Sequence, residues 1–137
     1  NTGSGTFNAG NGISWENANG NVALGTNALY ANTTGSFNTA IGTSSLQNLV
    51  GSINNVAVGI DALNTNTSGA DNTALGAYAL KKNTGSQELA VGSHALQNNT
   101  TGGGNTTLGS WALYQSITGS ENTALGYKSG YNSTSNS

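Results

Sequence analysis

The 137-residue sequence lacks cysteine, proline and methionine and has few charged residues. Without cysteine, the chain can form no disulfide framework and supplies no thiol for catalysis or metal binding. Charged residues make up 6% of the chain, and its formal net charge of −2 offers no basic surface for nucleic acid. No apolar run approaches the roughly 18 residues of a membrane-spanning helix. We therefore predict no nucleic-acid partner and no membrane insertion.

The chain also lacks an initiating methionine and a signal peptide, so we expect it to be a fragment or a processed product. A polar surface with little charge and little lysine is more typical of an extracellular or virion protein. We accordingly predict a location on a cell-surface fibre or a virion. A high content of Asn, Thr, Ser and Gly is also typical of disordered chains. Here, however, the apolar residues recur at fixed distances from the glycines, which argues against disorder.

A short phrase, Asn-x-Ala-(Leu/Ile/Val)-Gly-x-x-Ala-Leu, recurs seven times, and its clearest copy is residues 72–80. Its central glycines lie 17 residues apart, with one interval of 16: Gly25, Gly42, Gly59, Gly76, Gly92, Gly109 and Gly126. Self-similarity at a fixed period is the signature of a repeat architecture. We predict an all-β parallel β-solenoid or β-roll with 17-residue coils. Its domains are an N-terminal cap at 1–20, seven coils at 21–130 and a frayed tail at 131–137.

The N-terminal segment lies outside the repeat and carries three large apolar residues, Phe7, Ile13 and Trp15. Terminal segments of solenoids are atypical because they cover an open end. We predict that Trp15 packs on the first coil.

Each coil is predicted to contain a strand of four or five residues that ends at the central glycine. The following Gly-x-x-Ala-Leu piece is either a second strand or one helical turn. Stacked coils place equivalent residues about 4.8 Å apart, which creates three files. One apolar file is Leu24, Ile41, Val58, Leu75, Val91, Leu108 and Leu125; the second is Leu29, Leu46, Leu63, Leu80, Leu96 and Leu113.

The third file is polar and consists of Asn21, Asn38, Asn55, Asn72, Asn105 and Asn122. Stacked amides of this kind can hydrogen-bond along the file. Glu88 takes the asparagine position in the 16-residue coil, where we expect a local disturbance of register.

The strands also present a file of alanines. Neighbouring strand residues point to opposite faces, so the alanine and the leucine of each coil face opposite ways although both are apolar. A thin alanine file suits close approach of another chain. We predict that sister chains complete it in a parallel homotrimer.

Residues 32–36, 38–42, 72–76 and 122–127 carry a family resemblance. They resemble the Asn-Thr-Ala-(Ile/Val)-Gly-Tyr-x-Ala-Leu repeats of trimeric fibre proteins, which precede endosialidase-type intramolecular chaperone domains in phage tail fibres and bacterial surface fibres. More distantly, they are similar to the heads of trimeric autotransporter adhesins, which form a left-handed parallel β-roll of shorter coils. The resemblance covers about residues 21–130. It implies a trimeric fibre segment or tip that binds a cell surface, often through glycans, and carries over no binding residue.

Residues that could support catalysis are scattered. The acids lie in different coils and form no pair for general acid–base work: Glu16, Asp61, Asp71, Glu88 and Glu121. The single imidazole, His94, has no cysteine or histidine partner for a metal site. We predict no enzyme activity, no cofactor and no metal.

Aromatic residues form the candidate binding site. The second position after the central glycine brings Tyr78, His94, Trp111 and Lys128 into one file, and the fifth position brings Tyr114 and Tyr131 into another, with Tyr127 nearby. The variable positions of a repeat are where binding surfaces usually lie. Flat rings beside amides are suited to sugar rings. The alternative is that these aromatics fill the trimer interface or cover the open C-terminal end.

Two other functions compete with a glycan-binding fibre. An ice-binding solenoid would use a regular threonine file, which Thr39, Thr73, Thr106 and Thr123 form. Val22, Val56 and Leu89 interrupt this file, which counts against ice binding. A polysaccharide-degrading enzyme of the tail-spike type would need paired carboxylates, which the spacing of the acids disfavours.

Overall fold

The structure is a computed structural model that describes residues 19–134. Nearly all of the predicted N-terminal cap, with Phe7, Ile13 and Trp15, lies outside the described residues, as do residues 135–137 of the predicted tail. The described residues contain all seven copies of the repeat.

Seven strands form one parallel sheet, in which each strand pairs with the next strand along the chain. The strands are β1 (Val22–Leu24), β2 (Thr39–Ile41), β3 (Val56–Val58), β4 (Thr73–Leu75), β5 (Leu89–Val91), β6 (Thr106–Leu108) and β7 (Thr123–Leu125). Residues at equivalent positions of the repeat pair directly across neighbouring strands; Ala40, for example, pairs with Ala57. These pairings confirm an all-β parallel solenoid with 17-residue coils.

Each strand has three residues, fewer than the predicted four or five. The strand ends one residue before the central glycine because that glycine leaves the β region of backbone conformation. Gly59, for example, has a φ of +137°. The chain therefore turns at the glycine and not after it.

Two rows of small and large apolar side chains fill the interior. The predicted leucine file, which runs from Leu29 to Leu113, is buried along its whole length. Opposite it, the middle residue of each strand also points inward from β2 onward: Ala40, Ala57, Ala74, Ala90, Thr107 and Ala124. At the one threonine of this row, the hydroxyl of Thr107 donates to the carbonyl of Leu89 (3.1 Å). Leucine and alanine thus form a core that belongs to one chain.

The prediction that sister chains complete the alanine file is wrong. The alanines are buried within their own coil, where they pack in one core cluster with the leucines. Consecutive strand residues point to opposite faces, so the neighbouring aliphatic file faces outward. We call it the outer apolar row: Leu24, Ile41, Val58, Leu75, Val91, Leu108 and Leu125.

The Gly-x-x-Ala-Leu piece is neither a second strand nor a helical turn. In the fourth coil, Ala79 N donates to Gly76 O (3.3 Å) and Lys81 N donates to Tyr78 O (3.3 Å), which closes two overlapping four-residue turns. The amide of Leu80, between them, donates instead to the next coil. Tyr78 (φ +62°) and Leu80 (φ +51°) are the third residues of these turns, where a type II turn requires positive φ.

The asparagine file forms a continuous ladder of hydrogen bonds inside the solenoid. The Oδ1 atom of Asn38 accepts from the backbone N (3.0 Å) and the Nδ2 (3.1 Å) of Asn55. Asn55 Oδ1 in turn accepts from the backbone N of Asn72 (3.1 Å). Throughout residues 19–134, every buried side-chain nitrogen or oxygen has a partner. The ladder therefore adds polar order to the core without leaving an unsatisfied amide.

The 16-residue coil keeps the register of the sheet, so the predicted disturbance of register is wrong. Strand β4 pairs with β5 in the same alignment as every other pair. A loop absorbs the missing residue. Asn66 accepts a hydrogen bond from the backbone N of Gly69, three residues on (2.7 Å), whereas Asn83 accepts one from Gly85, two residues on (3.0 Å).

The last coil extends beyond residue 130. Gln115 N donates to Tyr131 O (3.1 Å), and Ile117 N donates to Thr134 O (3.0 Å). Pairing between the sixth and seventh coils thus continues past the predicted boundary of the repeat domain and reaches residue 134.

Candidate functional site

Three aromatic rings of successive coils stack into a ladder on the turns that follow β4, β5 and β6. The ring centroids of Tyr78 and His94 are 4.9 Å apart with planes inclined by 15°, and those of His94 and Trp111 are 4.0 Å apart at 16°. These separations follow the inter-strand spacing of about 4.8 Å. Offset stacking of aromatic pairs contributes roughly 0.5–1.5 kcal/mol each.

A second, shorter stack lies beside the first. The rings of Tyr114 and Tyr131 are 5.3 Å apart and inclined by only 11°. Tyr114 also meets Trp111 (4.7 Å, 56°) and the edge of His94 (6.3 Å, 71°). The two predicted aromatic files therefore form one cluster, which we call the aromatic ladder.

Lysine side chains lie at the two ends of the aromatic ladder. Lys128 Nζ is 5.3 Å from the ring centroid of Tyr127 and 5.4 Å from that of Tyr131, which joins Tyr127 to the cluster. At the other end, Lys81 Nζ lies 5.1 Å from the centroid of Tyr78. Cation–π contacts of this kind contribute about 0.5–1 kcal/mol at exposed sites. The structure thus brings all seven predicted site residues into one continuous patch.

The ladder occupies a turn position that favours other residue types. Tyr78, His94 and Trp111 have φ values of +62°, +61° and +63°, whereas the same position holds Asn27 and Asp61 in earlier coils. Asn and Asp tolerate this left-handed conformation, while bulky residues there are outliers. Such strain costs on the order of 1–3 kcal/mol per residue. Ring stacking offsets part of that cost.

The stacking limits which ring surfaces remain free. Tyr78 covers one face of His94 and Trp111 covers the other. Tyr114 and Tyr131 likewise cover one face of each other. Ring edges and the end faces of the stacks are the surfaces left for a ligand, so the expectation of flat aromatic faces along the whole file applies only at the ends.

Two polar contacts of the ladder were not predicted from the sequence. The ring Nδ1 of His94 hydrogen-bonds Gln97 Oε1 one turn further along the chain. Lys81 Nζ pairs with Asp61 Oδ2 at 3.0 Å, which fixes the lysine under Tyr78. His94 and Gln97 are three residues apart in one coil, whereas Asp61 and Lys81 belong to adjacent coils. Alignment of the repeats could have indicated both contacts.

The described acids have different surroundings. Asp61 pairs with Lys81, and Asp71 accepts a hydrogen bond from Asn54 Nδ2 (3.0 Å). Glu88 is buried in the asparagine ladder, and Glu121 is exposed. Within residues 19–134, no group of three or more histidine, cysteine or acidic residues could hold a metal ion. No helix of this part of the chain is long and apolar enough to cross a membrane.

Comparison of the chain with models of protein families, with curated proteins and with solved structures finds no match.

Proposed function

We propose that the chain is a segment or tip of an extracellular homotrimeric fibre, of the adhesin or tail-fibre kind, that recognises glycans on a cell surface. One observation carries the proposal. The solenoid has a complete core of its own, and yet a file of aliphatic side chains runs along the outer face of its sheet from β1 to β7.

The outer apolar row fits a second and third copy of the same chain. Five of its seven members are exposed, and the neighbouring outward column is also uncharged: Val22, Thr39, Val56, Thr73, Leu89, Thr106 and Thr123. Contiguous exposed apolar patches mark interaction sites. A parallel copy presents the same row at the same step of about 4.8 Å, so rungs of sister chains can lie level. The resemblance to trimeric fibre repeats favours three copies.

Leu75→Glu is expected to dissociate the trimer without unfolding the chain. Leu75 lies in the middle of the outer apolar row and is 37% exposed in the single chain, so the coil itself tolerates a polar replacement. In the trimer, the change places three carboxylates in an apolar interface at a cost of roughly several kcal/mol. Sedimentation velocity should show the wild type at three times the 13.6 kDa chain mass and the variant at the mass of one chain.

Ile53→Glu is the matched control for this experiment. Ile53 is 43% exposed but lies outside the outer apolar row, so the same substitution there should leave the trimer intact. A wild-type protein that sediments as a single 13.6 kDa chain would refute the proposed assembly.

The aromatic ladder supports glycan recognition. It combines ring edges and end faces with nearby hydrogen-bonding groups, among them Gln97 beside His94. Saccharide sites use aromatic surface for the apolar parts of a sugar and a few fixed polar groups for its hydroxyls. The aromatic ladder spans four coils, which suits a linear oligosaccharide along the fibre axis.

Trp111→Asn is expected to reduce glycan binding about tenfold, because loss of the apolar surface that the indole offers to the ligand removes about 1.5 kcal/mol. Asparagine suits this site because Asn27 already adopts φ +59° at the equivalent position. A glycan array followed by calorimetry would measure the change. Tyr30→Ala, an exposed tyrosine away from the ladder, is the control, and an equal loss in both variants would argue against the ladder as the site.

Ice binding is a second candidate, and the same sheet face favours it. Thr39, Thr73, Thr106 and Thr123 stand in register beside the outer apolar row, although Val22, Val56 and Leu89 interrupt the file. A face that sister chains cover cannot order water. A monomer with thermal hysteresis would therefore replace the fibre proposal, and a trimer without it would exclude ice binding.

A further inference from the structure

A groove lies beside the aromatic ladder and enlarges the surface that a ligand could contact. It has a volume of about 270 Å³ and is lined by Lys82, Asn98, Thr100, Tyr114, Gln115 and Ile117. The lining residues come from three successive coils, and Tyr114 belongs to both the groove and the ladder. The volume is just below the range of about 300–1,000 Å³ for small-molecule pockets, which suits a single sugar residue of a longer chain.

The groove contains a cation whose charge is not neutralised by a neighbour. The chain has three lysines and no arginine. Lys81 pairs with Asp61, and Lys128 lies against Tyr127 and Tyr131. Within the described residues, the one ion pair is that of Lys81, so the exposed Lys82 lies beside the groove without a carboxylate partner. Lys82 is therefore the positively charged group of the groove, in a chain of net charge −2.

The rest of the groove combines apolar surface with hydrogen-bonding groups. Tyr114 and Ile117 supply apolar surface. The Nδ2 of Asn98 donates to Tyr114 O (3.0 Å), which fixes the amide and leaves its Oδ1 as an acceptor. Thr100 Oγ1 donates to Ile117 O (3.0 Å), so its lone pairs can accept from a ligand. Acceptors beside an apolar surface and a cation match a sugar ring with hydroxyls and one negative charge.

We propose that this groove binds one acidic sugar residue, bearing a carboxylate or a sulfate, within a glycan that extends along the aromatic ladder. The Lys82 ammonium pairs with the acidic group, the apolar face of the sugar packs on Tyr114 and Ile117, and hydroxyls donate to Asn98 and Thr100. This inference rests on the proposed function, glycan recognition, and specifies its ligand class.

The test compares three oligosaccharides by calorimetry with the assembled protein: a hexuronic-acid oligosaccharide, the same chain after reduction of its carboxyl groups, and a sulfated form of that neutral chain. The wild type should bind one or both acidic forms about tenfold more tightly than the neutral form, as a charge-assisted hydrogen bond allows. Lys82→Gln should remove this preference, and Lys82→Arg should retain most of it. Ile117→Thr should weaken binding of all three oligosaccharides, because it removes apolar surface from the groove. Threonine fits at this position, since Thr100 is the equivalent residue one coil earlier.

The outcomes separate the inference from the function on which it rests. Equal binding of neutral and acidic chains by the wild type, or an unchanged preference in Lys82→Gln, would overturn the acidic-sugar site and leave glycan recognition standing. No binding of any oligosaccharide would overturn both.

Discussion

Replacement of Gly59 by alanine is expected to disrupt the middle of the solenoid. Gly59 has a φ of +137°, and a Cβ atom built on it would lie 2.6 Å from both the C and O atoms of Gly76 in the next coil. Non-bonded carbon atoms pack at about 3.5–4.0 Å, so the two coils would have to separate. That movement would break the bond from Gly76 N to Val58 O (2.8 Å). We expect a loss of roughly 3–5 kcal/mol in unfolding free energy, from strain and overpacking together.

Gly126→Ala separates these two contributions. Gly126 also has positive φ, +106°, but it belongs to the last coil, and nothing lies within 4 Å of a Cβ atom there. Only backbone strain should then act, at about 1–2 kcal/mol. Urea unfolding of both variants would measure the difference. If the two substitutions cost the same, close contact between stacked glycines would not be what holds the coils at their spacing.

The same contact explains why the period could be predicted from the sequence. Each central glycine from Gly25 to Gly109 meets the backbone of the next central glycine, so no side chain is tolerated at that point of those coils. The resulting spacing, together with the leucine four residues later, predicts both the stacking and the buried leucine row. The loop at Asn83 explains why the one 16-residue interval leaves the sheet intact. The coil is one residue shorter at the turn between Asn83 and Gly85, which lies outside the strands.

The side of the strand that faces inward could not be predicted in this way. Alternation places Ala40 and Ile41 on opposite faces, but both residues are apolar, and hydrophobicity alone favours burial of the larger one. In the structure, the alanine is the strand residue that packs with Leu46 and its equivalents in the core. Those leucines lie in the turns after the central glycine, and the sequence left the conformation of these turns open.

For the candidate site, register alone predicted which residues meet. Tyr78, His94 and Trp111 share a column, so stacking of the coils brings them together. The sequence did not show that the rings would cover one another's faces. The groove was also missed, because Lys82 and Asn98 occupy a mixed polar column with no chemical signature, and its shape comes from the turns.

Glu88 makes the stability of the solenoid depend on pH. Its side chain replaces an asparagine of the ladder and is 2% exposed. Oε1 accepts from the Nδ2 atoms of Asn99 and Asn105 (2.9 Å each), and Oε2 accepts from the backbone N of Asn105 (3.0 Å). Burial nevertheless dominates over these bonds and raises the pKa of Glu88 from 4.5 to about 7.

The direction of the pH dependence follows from the raised pKa. Between pH 4.5 and about 7, the folded chain keeps a proton that the unfolded chain has released. The free energy of unfolding should therefore fall as pH rises through this window and level off above it, with a total loss of roughly 3 kcal/mol. Chemical denaturation of the wild type at pH 5 and pH 8 would measure the loss.

Glu88→Asn is expected to abolish this slope and to stabilise the protein at pH 8 by a similar amount, roughly 3 kcal/mol. Asparagine removes the titrating group and restores a donor that glutamate lacks. In the preceding coil, Asn72 holds the position of Glu88, and its Nδ2 donates to Gly85 O at 2.9 Å. The equivalent carbonyl beside Glu88, Gly102 O, accepts a longer bond from Asn99 Nδ2, at 3.4 Å. Glu121→Gln, at an exposed acid, should keep the slope of the wild type. A slope that persists in Glu88→Asn would mean that another group titrates with folding. The buried carboxylate would then not be what distinguishes this coil from its neighbours.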